Sequence, residues 1–174
     1  MVHNTYQHEG GEDVVLKNET ELLSENGHIV QILSVSNDSI VSGWPKIQAA
    51  IQATYSRQGK KRVSQAITSH KPDVVHVHNF FPLLSPSIFD ACREAAVPVI
   101  LTLHNFRIIC AGALLLREGK ICEDCINGSP YKAVLRGCYR GSRLGSLAVA
   151  RMIDFHKKRG TWSNHVDRFI ALTE

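Results

Sequence analysis

The sequence has no hydrophobic run long enough to cross a membrane and no recognisable secretory leader. Its longest apolar runs, such as Val97 to Leu101, fall far short of the roughly 20 residues that a membrane-spanning helix needs. The opening residues lack the basic and apolar regions of a signal peptide, so we expect a cytoplasmic protein. No segment recurs at a period of about 20 to 50 residues, which argues against a repeat protein.

The sequence also lacks a large excess of charge of one sign. It contains 20 Lys and Arg residues against 16 Asp and Glu residues, for a formal net charge of +4. We expect no nucleic-acid partner. Either the surface is simply solvated with a slight positive bias, or its basic residues attract phosphate groups or an anionic membrane.

Length and composition indicate one folded domain. The chain has 174 residues, of which 44% are hydrophobic and 21% charged, and these values are ordinary for a globular domain. Five cysteines without a signal peptide suggest a reducing compartment, where thiols pack or bind metal. Cys92 stands apart from the other four and is expected to be a packed core thiol.

Apolar periodicity predicts strands and helices in alternation. That order favours parallel strands joined by right-handed crossovers, and hence an α/β layered domain. The strands are expected at residues 29–35, 73–78, 98–103 and 168–172. Five helices are expected: one at 12–26, a second that begins at residue 45, a third that ends at residue 71, a fourth at 85–95 and a fifth at 142–158.

Three details of this pattern can be checked directly. Ile47, Ile51 and Tyr55 are expected to face inward from the second helix. A polar break is expected at Gly59, before the third helix. The first strand should be unusually short, because only three residues precede a polar turn, either through trimming or because the sheet lacks most of that strand.

Histidine and asparagine recur where the predicted strands end. His3-Asn4, His78-Asn79 and His104-Asn105 each follow or close a strand. Ligands of open α/β sheets bind outside the carboxyl ends of the strands, so this convergence indicates a site. His104 is the best catalytic candidate, since a near-neutral pKa suits hydrogen bonding or proton transfer beside a hydroxyl group.

Two other features near these strand ends have competing interpretations. Gly10-Gly11 before a helix is either an ordinary turn or a loop that lets a phosphate approach the helix N-terminus. His76 and His78 share one face of a strand and could bind a metal together with His104, although no carboxylate accompanies them. The alternative is that they are covered and hydrogen-bonded within the fold.

The other four cysteines lie in a long segment with little apolar periodicity, residues 105–141. Two residues separate Cys122 from Cys125, a spacing at which both thiolates can reach one tetrahedral ion. Cys110 and Cys138 could complete a structural zinc site, which would order a segment that packing alone does not. Reduced thiols, or a redox or disulfide role, remain the alternatives.

The chain resembles the amino-terminal domain of family 4 glycosyltransferases. The resemblance lies in "HNTYQHEGGEDVV", "PDVVHVHNFFPLLSPSIF", "VPVILTLHNFRIIC", "CEDC", "CYRGSR" and "DRFIALTE", which occur in this order along nearly the whole chain. It implies a Rossmann-like parallel sheet with helices on both faces, forming one half of a GT-B fold. It also implies a retaining hexosyltransferase that uses a nucleotide-sugar donor and no catalytic metal.

The same resemblance assigns roles to individual residues. Gly10 and Gly11 would face the donor diphosphate, and His104 would contact the donor sugar. The acceptor-side cleft would contain His78, Asn79, Asn105 and Arg107.

The resemblance also implies what lies outside this chain. The nucleotide pocket and its acidic motif belong to a carboxyl-terminal domain, which we expect to be missing here, so residues 1–174 alone should be inactive. The acceptor would be a saccharide or a lipid-linked molecule, in polysaccharide or glycoconjugate synthesis.

Two further expectations concern function. The basic amphipathic pattern at 142–158 could place the protein at the inner face of a membrane, or it could simply pack on the sheet. The main alternative to a transferase is a non-catalytic α/β module that binds phosphate or saccharide, and a weaker one is a zinc-dependent hydrolase.

Overall fold

The computed structural model describes residues 1–5, 10–37 and 44–172. The strands are β1 (Val2–Thr5), β2 (Leu33–Ser36), β3 (Val75–Val77), β4 (Val99–Leu103), β5 (Leu116–Arg117), β6 (Lys120–Ile121) and β7 (Arg168–Ala171). The helices are α1 (Gly11–Glu25), α2 (Trp44–Gln52), α3 (Arg57–His70), α4 (Ser87–Glu94), α5 (Lys132–Arg136), α6 (Arg143–Arg159) and α7 (Thr161–Asn164).

Five strands form one parallel sheet in the order β2-β1-β3-β4-β7. Helices cover both faces, so the predicted Rossmann-like α/β class is confirmed. The first strand is as short as expected, with four residues, yet it lies between β2 and β3. Its position shows that a short strand suffices here because hydrogen bonding on both sides holds it in place.

One face of the sheet, which we call the core face, carries the main hydrophobic core. Val75, Val77, Val99 and Leu101 alternate along β3 and β4 and are all buried. They pack in one cluster with side chains of α3, α4 and α6 such as Val63, Ile67, Ile88, Phe89, Val149 and Met152. Cys92 is part of this cluster, as predicted, and burial raises the pKa of its thiol to about 12.

The opposite face, which we call the histidine face, is crossed by α1. The alternate residues of the strands point to it, so His3, His76, His78 and Thr102 lie on neighbouring strands of this face. Leu16 is the buried residue of α1, and the polar side chains of Asp13 and Glu19 contact histidines of the sheet. This face therefore has polar groups where an ordinary core has apolar ones.

Two predictions about the region before α3 are wrong. Ile47 and Ile51 are exposed, and α2 turns Ala49 inward instead. Gly59 does not break the chain but lies inside α3, where a Cβ would collide with the carbonyl group of Leu84. Glycine is required at this position because α3 approaches the Leu84 backbone closely, which the local sequence does not reveal.

Two boundaries also differ from the pattern. The second strand is confined to β2, because Ile29 is almost fully exposed and lies outside the sheet. Helix α4 begins at Ser87, and its N-cap position is Pro86 rather than Ser85. The hydroxyl oxygen of Ser85 accepts hydrogen bonds from two amides, that of Ser56 at 2.8 Å and that of Ser87, the first residue of α4, at 3.3 Å.

The predicted helices α1 and α6 are confirmed within one residue. Ser142 caps α6 by accepting a hydrogen bond from the amide of Gly145, at 3.1 Å. Gly160 then ends the helix in the left-handed conformation, with φ of +67°. Among the described residues, no helix is long and apolar enough to cross a membrane.

Candidate active site

A row of imidazole rings crosses the histidine face towards the ends of β3 and β4. The rings of His76 and His78 have centroids 4.2 Å apart, and those of His78 and His104 are 5.4 Å apart. Nδ1 of His78 lies 3.2 Å from Nε2 of His104, which is hydrogen-bonding distance. The structure therefore brings together three histidines that the strand-end pattern had placed at one edge.

Hydrogen bonds anchor His76 in this row and the neighbouring His3 on β1. Nε2 of His76 lies 2.7 Å from the hydroxyl oxygen of Thr102 on β4. His3, on β1, approaches Oδ1 of Asp13 at 2.9 Å through its Nε2. These contacts hold the rings in fixed orientations between the sheet and α1.

Glu19 of α1 reaches the same row, and sequence reasoning missed it. Its Oε2 lies 3.5 Å from Nδ1 of His76 and 3.3 Å from Nε2 of His78. The expectation that no carboxylate accompanies these histidines is thus wrong. The available signal was helical spacing, because Glu12, Leu16 and Glu19 recur on one face of α1, and Leu16 is its buried residue.

Burial keeps these histidines neutral. Desolvation, reinforced by the neighbouring positive charges, lowers the pKa of His76 to about 4 and that of His78 to about 3. Burial also lowers the pKa of His104 and raises that of Glu19. A neutral imidazole can donate one hydrogen bond and accept another, which suits the chain of contacts from His78 to His104.

Asn105 links the end of β4 to the start of α1. Its side-chain nitrogen donates a hydrogen bond to Oε1 of Glu12 at 2.9 Å, and its Oδ1 accepts one from the amide of Arg107. Burial raises the pKa of Glu12. The guanidinium of Arg107 stacks over Phe81 and Tyr139 and donates to the carbonyl of Ala111.

Gly10 and Gly11 lie where α1 begins. Gly10 is the N-cap residue, and its amide donates to Oδ2 of Asp13 at 2.8 Å. Because that amide is engaged, the amides of Gly11 and Glu12 are, as far as the described residues go, the ones that the helix leaves for an external acceptor. Among residues 1–5, 10–37 and 44–172, no atom lies within 4 Å of a Cβ added at Gly11.

Asn79 is buried and engaged on both sides of its amide. Its nitrogen donates to the carbonyl of Asn4 at 2.8 Å, and its oxygen accepts from the amide of Phe81 at 3.0 Å. It nevertheless lines one pocket together with His78, His104, Asn105 and Arg107. All four residues assigned to the acceptor side therefore surround a single concavity next to His104.

The comparison with known protein families decides the class. The model of glycosyltransferase family 4 matches residues 10–174. The chain belongs to this family. No curated protein and no solved structure matches it. Membership of this glycosyltransferase family implies a nucleotide-sugar donor and an acceptor as substrates.

In this glycosyltransferase the four clustered cysteines lie near one another. The pKa of Cys125 is raised first by burial and then by the nearby Cys110, Cys138 and Cys122 thiols. Arg136 lies 3.8 Å from the sulfur of Cys122 and pairs with Asp124. Within the described chain, the group of possible ligands whose atoms lie within 4.8 Å of one another is Glu19, His76 and His78, not the cysteines.

Proposed function

We propose that this chain is the acceptor-side domain of a retaining hexosyltransferase with the GT-B fold. The observation that carries the proposal is the meeting of three groups at one sheet edge: the N-terminus of α1, His104 and Asn105. The 2.9 Å hydrogen bond between Asn105 and Glu12 connects the end of β4 to the N-terminus of α1. A nucleotide sugar has a diphosphate and a sugar that need an anion-binding helix end and polar side chains, respectively.

His104 is the proposed catalytic residue. Its Nε2 faces Nδ1 of His78, so its Nδ1 is the ring nitrogen that remains for a hydroxyl of the donor sugar. A fixed polar group next to the anomeric carbon stabilises charge that develops in the transition state. The proposed reaction breaks the bond between the anomeric carbon and the diphosphate, which leaves with the electron pair. It forms a bond to the oxygen of an acceptor hydroxyl, whose proton passes to the leaving diphosphate, and the configuration is retained.

The donor diphosphate is proposed to lie against Gly10 and Gly11. The amides of Gly11 and Glu12 and the positive end of the helix dipole favour an anion there. The carboxylates of Glu12 and Asp13 are directed elsewhere, to Asn105 and His3 respectively. This arrangement reduces the repulsion that two acidic residues in the first turn would otherwise cause.

A second α/β domain is proposed to supply the nucleotide pocket. The described part of this chain contains one five-stranded sheet, whereas a GT-B site closes between two such domains. Correct positioning can account for roughly 7–11 kcal/mol of a barrier, so residues 1–174 by themselves should show no turnover. Sustained transfer by this chain alone would refute the two-domain proposal.

The decisive test of the site is His104→Ala in the two-domain enzyme, with His70→Ala as the control. His70 is exposed at the end of α3, away from the cleft. We expect kcat to fall by about 100-fold or more for His104→Ala, with an unchanged circular dichroism spectrum, and to stay normal for the control. If both variants transfer normally, or if the enzyme only binds its sugar without turnover, a non-catalytic binding module becomes the better interpretation.

The acceptor is proposed to be a saccharide or a lipid-linked molecule, reached from the inner face of a membrane. Leu144 and Leu147 of α6 are exposed, the former by 79%, and lie among Arg143 and Arg151. Met152, which also belongs to the apolar pattern of this helix, is buried in the core. Sedimentation with anionic vesicles at low salt, lost at high salt and in Leu144→Ser, would support this surface, and equal recovery in the supernatant would refute it.

The four cysteines are proposed to hold a structural zinc ion. Gly112 lies between two of them, since a Cβ there would stand 3.9 Å from Sγ of Cys110 and 3.9 Å from Cβ of Cys138. Metal binding would draw the sulfurs inward and order the segment, with an apparent contribution of up to ~10 kcal/mol. Cys122→Ser with Cys125→Ser should release zinc and expose residues 105–141 to protease, whereas four freely titratable thiols in folded wild-type protein would refute the site.

A further inference from the structure

We propose that Glu19, His76 and His78 form a second, independent metal site, for one divalent transition-metal ion with zinc as its probe. Zinc bonds to nitrogen and oxygen of about 2.0–2.2 Å in a tetrahedron place neighbouring ligand atoms roughly 3.3–3.6 Å apart. The Oε2 of Glu19 lies 3.3 Å from Nε2 of His78 and 3.5 Å from Nδ1 of His76. Both distances from Glu19 thus match the edges of such a tetrahedron, and all three ligand atoms lie within 4.8 Å of one another.

A buried nitrogen without a hydrogen bond supports the site. Nε2 of His78 is inaccessible to solvent and has no hydrogen-bond partner among the described residues, because the contact with Glu19 lacks hydrogen-bond geometry. His156 shows the ordinary arrangement of a buried histidine in this protein. Its Nδ1 lies 2.8 Å from the Thr161 hydroxyl and its Nε2 2.7 Å from the Thr54 carbonyl oxygen.

The contacts behind the three ligands match those of protein metal sites. A metal-bound histidine usually uses its second nitrogen in a hydrogen bond that fixes the ring. Nε2 of His76 meets the hydroxyl of Thr102 at 2.7 Å, and Nδ1 of His78 meets His104 at 3.2 Å. Each imidazole therefore turns one nitrogen to a supporting group and the other to Glu19.

The ligand set selects the class of ion. Two neutral imidazoles and one carboxylate suit zinc and its neighbours in the first transition series, whereas calcium and magnesium prefer oxygen alone. The side chain of Glu19 is 29% exposed and that of His76 is 11% exposed. The site can therefore be reached from the solvent side of α1 without unfolding the sheet.

An ion at this site would fix the protonation pattern of the histidine row. With Nε2 of His78 bound to metal, the proton of His78 would reside on its Nδ1. That Nδ1–H group would donate a hydrogen bond to Nε2 of His104. His104 then carries its own proton on Nδ1. The value of this arrangement for sugar transfer rests on the proposed role of His104, but the binding of the ion does not.

The test compares zinc binding by four forms of the full-length protein at buffered free zinc. Glu19→Gln removes one ligand charge without changing its shape, and Glu21→Gln makes the same change at an exposed position of α1. Thr102→Val removes the support of His76 with little change in volume. The cysteines are the same in all four proteins, so differences in bound zinc report on the histidine site alone.

We expect Glu19→Gln to weaken the binding of one equivalent of zinc by at least about 100-fold, and Thr102→Val by about 10- to 100-fold. Glu21→Gln should bind like the wild type. Equal stoichiometry and affinity in wild type and Glu19→Gln would overturn the proposal. An equal loss of zinc affinity in Glu21→Gln would also overturn the proposal. Such a result would mean that the negative charge of α1, rather than direct ligation by Glu19, determines zinc binding.

Discussion

The two faces of the sheet differ in what covers them and in what lies beneath. On the core face, α4 alone buries Ile88, Phe89, Ala91 and Cys92 against Val75 and Val77. On the histidine face, α1 is nearly twice as long but buries only Leu16, and its Asp13 and Glu19 contact histidines of the strands. The same strands supply both surfaces, because alternate residues of a strand point to opposite sides.

This difference indicates that one face of the sheet stabilises the fold and the other positions the polar groups of the candidate site. The core face gains stability from apolar burial, at about 25 cal/mol per Å² removed from water. The histidine face has less of this stabilisation by apolar burial. It holds imidazole and carboxyl groups in fixed positions next to the strand ends, where ligands of α/β sheets bind. Mutations on the two faces should therefore have different consequences.

The largest effect on the free energy of unfolding is expected from a pair of Leu→Ala substitutions, one on each side of the sheet. Leu84→Ala removes a fully buried side chain of the main hydrophobic cluster, and Leu16→Ala removes the buried residue of α1. We expect the free energy of unfolding to fall by about 3–5 kcal/mol for Leu84→Ala and by about 2 kcal/mol or less for Leu16→Ala. Urea denaturation measures both, and equal losses would break the comparison.

A second pair concerns two histidines. His156→Ala leaves the carbonyl of Thr54 without its partner and opens a cavity in the core, so we expect a loss of about 3 kcal/mol in unfolding free energy. His104→Ala, at the half-buried end of β4, should cost less than about 1 kcal/mol. A stability loss in His104→Ala as large as that in His156→Ala would mean that the histidine row serves the fold.

The smallest effect is expected at Glu12 and depends on pH. Burial raises its pKa in the folded state, so the folded protein binds this proton more tightly than the unfolded chain does. Stability is therefore favoured while the carboxyl is protonated and is lost as pH rises through its folded pKa. Glu12→Gln should raise the unfolding free energy slightly, by less than about 1 kcal/mol, near pH 7.

The same substitution should have no effect near pH 3, where the carboxyl is protonated in both states. Glu21→Gln, at an exposed position of the same helix, is the matched control. A stabilisation by Glu12→Gln that persists at low pH would point to packing rather than to the buried charge.

Local patterns predicted a large part of the fold. Strands β3, β4 and β7 are short apolar runs bounded by polar residues, and α6 begins at the Ser142 cap and ends before Gly160. Histidine and asparagine after β3 and β4 indicated the edge at which the candidate site lies. These features depend on residues that are neighbours in the chain, which is why the sequence reveals them.

The sequence by itself determined the α/β class, the family and the strand ends that carry His78 and His104. Only the tertiary structure decided that α2 turns Ala49 inward, that Gly59 lies within α3 against Leu84, and that Glu19 meets His76 and His78. The reason is physical: periodicity reports which residues share a face of one element. The partner that this face meets is set by packing between segments that are far apart in the chain.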